Sequence, residues 1–298
     1  MEFTSHHFDC NDQTIHAKIA GPENAPVILM LHGFPEYWAA WAKVAGNFTS
    51  DYRVVLPDQR GFNLSSKPVE REAYKTKHLV ADMVALVDQV SKENPIILCG
   101  HDWGASVAYA FAMRNSDRVS KLVIANGVHP MCFQKSLLAG GAQTDASQYM
   151  NVLRADGSEE QLMRDGFRPM LNMFEKFSAA PWLTDDVKDQ YRQAWSKDGA
   201  FSAMLNWYRS SPMIVPETGT PPQDFPITPD METKYRIPMP HLLLWGQQDV
   251  ALLPDAYSNL PQFCDHLSVV ETNDASHWIL HEKPEWVASE IRQFLIEN

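Results

Sequence analysis

Short apolar segments alternating with helix-spaced ones constrain this chain more than any other feature. Residues 27–31, 54–56, 96–99 and 122–125 are strand-sized and apolar throughout, the pattern of strands covered on both faces. Between them lie helical patterns: 39–48, then Leu79, Val80, Met83, Val84 and Val87 with Thr76 placed to cap them, then 105–114. Repeated strand–helix–strand units predict a mostly parallel central sheet flanked by helices. Ahead of them, 3–8 and 15–19 partly alternate around Asn11-Asp12, which predicts a hairpin. The alternation stops at Pro130. From there to Arg236 the chain is rich in Met, Trp, Phe and Tyr and helical in pattern, and prolines crowding between Ser211 and Pro240 predict an irregular connector. Strand patterns resume at 242–245 and 267–270, and a last helix follows Lys283 with Pro284 in its first turn. The predicted organisation is an α/β core of residues 1–129 and 237–298, with a mostly helical cap, 130–236, inserted into it.

A chain of 298 residues buries roughly three quarters of its unfolded surface. With 45% hydrophobic and 21% charged residues it is not a mainly disordered one. Its 25 basic and 37 acidic residues give a net charge of -12. That argues against nucleic acid and anionic membranes as partners, because both are held by basic patches. The apolar run 27–31 falls far short of a bilayer span, and MEFTSHHFDC has neither the basic nor the apolar region of a secretory signal. Cys10, Cys99, Cys132 and Cys264 are scattered with no C-x-x-C, which predicts reduced thiols and a cytoplasmic setting. Cys99, inside an apolar run, is expected in the core.

The segment with most chemical content is Cys99-Gly100-His101-Asp102-Trp103-Gly104-Ala105, between a strand and a helix. Gly100 and Gly104 bracket Asp102 in the small-x-nucleophile-x-small pattern of a nucleophile elbow. Read alone, the same residues form a turn whose aspartate caps the next helix. Three further segments favour the elbow. His32-Gly33-Phe34-Pro35 follows the first buried strand, where a loop supplies one oxyanion donor, the Phe34 amide. The residue after the nucleophile, Trp103, supplies the other. Asp249, in Gly246-Gln247-Gln248-Asp249, follows the 242–245 strand, and His277, in Ser276-His277-Trp278, follows the 267–270 strand. Each could be an ordinary loop residue. Together, Asp102, Asp249 and His277 stand in the nucleophile–acid–base order of this architecture.

With these residues in view, the chain resembles the α/β-hydrolases of the epoxide hydrolase and dehalogenase branch over nearly its whole length. HGFP, GHDWGA, the NGVHP of 126–130 and the NWYR of 206–209 are similar to epoxide hydrolases specifically. The resemblance implies an α/β-hydrolase fold with a helical cap, and a pair of cap tyrosines that hold the epoxide oxygen. Tyr208 in NWYR matches the second of the pair. Tyr149 is the best match to the first, with Tyr191 the next aromatic to test. Either could instead be a packing residue of the cap.

An aspartate side chain ordinarily titrates near a pKa of about 3.9, so one at the elbow is already an anion at neutral pH. It can displace a leaving group from saturated carbon, so epoxide opening and carbon–halogen cleavage fit, and peptide hydrolysis does not. His277, oriented by Asp249, then activates water against the Asp102 ester. An epoxide oxygen needs O–H donors, which two phenols supply. The leading expectation is an epoxide hydrolase acting on a small apolar epoxide and water. The alternatives are a haloalkane dehalogenase and, from another class, a non-catalytic small-molecule receptor. Trp103 stands where haloacid enzymes of this branch carry arginine, and position 126 is Asn, so Asp249 is the remaining acid. No cofactor is implied. His277 and His281, four apart, lack the intervening glutamate of a helical zinc pair. His6, His7 and His16 read as strand surface, His101 and His129 as supports of the elbow and cap junction, and Asp58-Gln59-Arg60-Gly61 as a structural turn. A homo-oligomer is compatible with all of this.

Overall fold

The computed structural model describes residues 2–92 and 94–298. Strands β1 (Thr4–Cys10), β2 (Gln13–Ala20), β3 (Val27–Leu31), β4 (Arg53–Pro57), β5 (Ile96–His101), β6 (Val119–Ala125), β7 (Ile237–Gly246) and β8 (Cys264–Thr272) form one sheet in the order β1-β2-β4-β3-β5-β6-β7-β8. The pairs β1–β2 and β2–β4 are antiparallel and all others parallel. Helices α1 (Ala42–Ala45), α2 (Thr76–Val90) and α3 (Trp103–Arg114) precede β6. Between β6 and β7 run α4 (Pro130–Leu138), α5 (Ala142–Ala146), α6 (Gln148–Arg154), α7 (Ser158–Lys176), α8 (Asp185–Trp195), α9 (Ala200–Arg209) and α10 (Pro229–Lys234), and α11 (Ile279–Glu282) and α12 (Pro284–Glu297) follow β8. Among the described residues no helix is long and apolar enough to cross a membrane.

The apolar strands divide their side chains between two cores, as the two-residue strand period requires. Leu29, Leu31, Val55 and Leu98 pack with α2 and α3 on one face. Ile28, Met30, Val54, Ile97 and Cys99 pack on the other with Val44, Ile279, Val287 and Ile291. Asn11 and Asp12 both take positive φ, the geometry of a two-residue hairpin turn. At the centre of the sheet the chain leaves β3 first for β4 on one side and later for β5 on the other. That change of direction opens a crevice at the carboxyl ends of β3 and β5, the usual place for a ligand in such sheets.

Four local expectations are corrected. Residues 39–48 are not one helix: a 3-10 turn, Trp38–Trp41, leads into the single α-turn of α1. The Trp41 indole is pinned to the Leu31 carbonyl, and Gly46 and Asn47 do not favour continuation. Thr76 is the first residue of α2 rather than its cap; Lys75 holds that position. The irregular connector ends earlier than its prolines imply, because β7 already starts at Ile237. Pro238 and Pro240 fall where the β7–β8 register shifts, and a proline's missing N–H does no harm at such an irregularity. His16 is buried, not surface, with its Nδ1 2.7 Å from Asp58 Oδ2. His6 and His7 are exposed.

Candidate active site

Asp102 is the single residue between β5 and α3, at φ 51 and ψ -120. That strained conformation persists for a non-glycine residue only where its surroundings impose it. Two close approaches do so. A Cβ on Gly104 would lie 2.2 Å from the Leu31 carbonyl oxygen, and one on Gly33 2.3 Å from the Asp102 Cβ. The Phe34 amide donates to Asp102 Oδ1 at 2.7 Å, and the Phe34-Pro35 bond is cis. Trp103 opens α3, so its amide is among the N–H groups a helix leaves free in its first turn.

His277 follows β8 and reaches both carboxylates. Its Nδ1 is 2.7 Å from Asp249 Oδ2 and its Nε2 3.6 Å from Asp102 Oδ2. Burial favours the neutral imidazole, but Asp249 and then Asp102 outweigh it and raise the pKa to about 10. Asp249 is itself buried, which favours its neutral acid. His277 and the hydrogen bonds to the carboxylate reverse that and hold the carboxyl below its ordinary range. Those bonds come from the Ala251 and Leu252 amides, at 2.8 and 2.9 Å, and from the Asn126 side chain at 2.8 Å.

Asn126 and Glu36 are contributors the sequence reading missed. Asn126, at φ 34, donates to Asp249 and accepts from the Gly246 amide at 2.8 Å, so it fixes the loop that carries Asp249. Its signal was its place after β6, at the same sheet edge. Glu36 is fully buried just beyond the loop that carries Phe34. His281 Nε2 lies 2.6 Å from its Oε1, which also accepts from the Tyr191 hydroxyl at 3.0 Å. His101 Nδ1 stands 3.2 Å from its Oε2, and His101 Nε2 is 2.7 Å from the His277 carbonyl oxygen. His277 and His281 therefore face different carboxylates instead of sharing a ligand. His129 bonds the Tyr235 carbonyl at 3.0 Å, joining the end of β6 to the segment that leads back to β7. The turn at Asp58 is a buried anchor: Arg60 pairs with Asp82 at 2.6 Å, and its carbonyl accepts from the Trp207 indole.

That last bond seats α9 over the sheet edge, and Tyr208 follows Trp207. Tyr208 stands edge-on to Phe34 and Trp103, with ring centroids 4.9 and 5.1 Å apart, and its centroid is 6.3 Å from that of Tyr149 on α6. Both phenols line one cavity with Asp102. Burial, and then the Asp102 charge, raises the Tyr149 pKa. For Tyr208 burial comes first, then Tyr149, then Asp102. Both stay protonated, as donors. Tyr191 is committed to Glu36 and does not line this cavity. The cavity encloses about 390 Å³ alongside α3. Its walls include Val128, Phe133, Met150 and Leu252, and its exposed lining residues, Arg114, Pro212 and Lys234, mark the mouth.

A family model described as alpha/beta hydrolase fold matches residues 26–284. The AB hydrolase superfamily protein YfhM of Bacillus subtilis (strain 168) is 32% identical, over 96% of this chain and 95% of its own. Epoxide hydrolase 2 of Caenorhabditis elegans is 30% identical, over 95% of this chain and 78% of its own. Among solved structures, a novel epoxide hydrolase from metagenomes of hot environments superposes with a TM-score of 0.89 at 32% identity, covering 99% of both chains. The Bacillus megaterium epoxide hydrolase in complex with an inhibitor gives 0.85 at 29% identity, covering 97% of this chain and 99% of its own.

Proposed function

The chain belongs to the alpha/beta hydrolase family, in its epoxide hydrolase branch, and from that premise we propose that it converts an epoxide to a vicinal diol through a covalent ester on Asp102. The observation that carries the reading is that the elbow carboxylate of Asp102 and two protonated phenols line one apolar cavity, while His277, held between Asp102 and Asp249, lines a small void that Asp102 and both phenols also border. Residues 130–236 act as the cap that brings the phenols to the core, 1–129 and 237–298.

In the first half-reaction an Asp102 oxygen attacks an epoxide carbon. The C–O bond breaks and its electron pair goes to the epoxide oxygen, where Tyr149 and Tyr208 donate hydrogen bonds and one phenol gives up its proton. The ester leaves Asp102 uncharged. Two of the four influences that keep the proton on His277 come from Asp102, so alkylation weakens the imidazole's hold, and that proton restores the phenol. Neutral His277 then takes a proton from water as the water attacks the Asp102 carbonyl. The oxyanion forms where the Phe34 amide already points, and the Trp103 amide completes the hole. Collapse breaks the bond from the Asp102 carbonyl carbon to the substrate oxygen, which takes the second proton of the attacking water, so the diol leaves with Asp102 ionised and His277 protonated again.

Aryl and alkyl epoxides assayed beside haloalkanes test the reaction class: diol is expected from the epoxides and no halide from the haloalkanes. Bromide release without diol formation would identify a dehalogenase, and ligand binding with no turnover a receptor. The cap tyrosines are tested in the same assay. Tyr149→Phe and Tyr208→Phe keep the rings and remove only the hydroxyls. Each is expected to slow alkylation about 100-fold, and the double variant to nearly abolish it, with substrate affinity falling less. Near-normal alkylation by a folded double variant would remove both residues from the mechanism.

A further inference from the structure

The site has two arms of very unequal size, and we infer from them that the substrates are terminal epoxides, with one extended apolar substituent and an unsubstituted second carbon. The inference rests on the epoxide hydrolase reading. On one side of Asp102 the 390 Å³ cavity runs beside α3, lined at 102, 103, 106, 110 and 113. Those positions recur over about three helical turns, so the arm extends roughly 16 Å from the nucleophile at about 1.5 Å per residue. On the other side, where Asp102 and His277 share a wall with Met173, Phe177 and Trp278, the free space is about 10 Å³.

A void of roughly 10–15 Å³ holds one water molecule. This one is bordered by both the carboxylate and the imidazole that the ester-cleaving water must reach. Phe34, Tyr149, Tyr208 and Ala251 border it as well, and Trp278, Met173 and Phe177 close it from the core and cap sides. Trp278 is fully buried, with its indole bonded to the Phe174 carbonyl at 3.1 Å. Met173 lies in the last turn of α7, and Phe177 caps that helix, its ring edge-on to Tyr149 at 6.0 Å. The three-membered ring of a substrate spans the junction of the arms. The substituent on one carbon follows the long arm, and whatever the other carbon carries points into the void. Hydrogens fit there. An alkyl chain overlaps Met173 and Phe177 and takes the place of the water that the second half-reaction needs, so the water slot doubles as a size filter.

The isomers 1,2-epoxyoctane and trans-4,5-epoxyoctane test this with identical atoms, arranged as one long arm or two equal ones. The wild-type kcat/KM is expected to favour 1,2-epoxyoctane by about 100-fold. Met173→Ala and Phe177→Ala, which open the small arm from the cap side, should each shift the ratio toward the 4,5-isomer by about 10-fold. Equal turnover of the isomers by the wild-type protein overturns the inference, whatever the variants do. So does an unchanged ratio in both variants while 1,2-epoxyoctane is still converted. Failure to convert either isomer or any other epoxide would instead sink the epoxide hydrolase reading on which the inference stands.

Discussion

Asp102→Ala should abolish diol formation, by at least about 10⁴-fold in kcat, while the protein still folds and binds substrate. No neighbouring carboxylate can replace it, because Asp249 is buried behind His277 and Glu36 is engaged by His281, His101 and Tyr191. The stronger form of the prediction concerns the wild-type protein. In a single turnover in heavy-oxygen water, the oxygen added to the first diol comes from the Asp102 carboxylate and is light. The water oxygen stays on Asp102 and reaches the diol only in later turnovers. If His277 instead activated water directly against the epoxide, the first diol would carry heavy oxygen in full. Isotope analysis of the first-turnover product separates the two routes, since they differ in which bond to Asp102 ever forms.

How much of this was legible in the residues depends on the range over which each feature is determined. The apolar runs marked β3, β5 and β6 because strands buried on both faces have no polar position to blur the pattern. Asp102 was legible because the elbow is a local constraint: Gly33 and Gly104 must be small for the backbone to pass. Asp249 and His277 were placed by their order after successive strands, which the parallel topology converts into nearness. Glu36 could not be found that way. Its partners are 65, 155 and 245 residues away in sequence, and nothing local to Glu36 says that it is buried. His16 misled for the same reason: in an alternating strand its face looks solvated until Asp58 is brought beneath it. The unequal arms of the cavity depend on how Met173 and Phe177 pack over the core, which spacing does not encode.

His277→Gln should form the Asp102 ester at a rate close to wild type and then stall, because an ionised nucleophile needs no base. Mass spectrometry of the variant mixed with substrate is expected to show one covalent adduct per chain that persists long after wild-type protein has returned to its free mass. The pH behaviour follows from the same residue. With its pKa raised to about 10 by Asp249 and Asp102, against the burial that opposes them, His277 is cationic in the free enzyme at neutral pH. A raised pKa means that the folded state holds the proton more tightly than the unfolded chain. The stability this adds is complete below the unfolded value of about 6.5 and fades as the pH climbs through about 10. Thermal unfolding across that window should therefore show the wild-type Tm falling relative to His277→Gln as pH rises. In the alkylated enzyme the Asp102 charge is gone, so the imidazole deprotonates at lower pH, and ester hydrolysis should rise with pH through a pKa below that of the free enzyme. An unmodified His277→Gln protein that still binds substrate would place His277 in the alkylation step, and the division of labour between the two half-reactions would have to be redrawn.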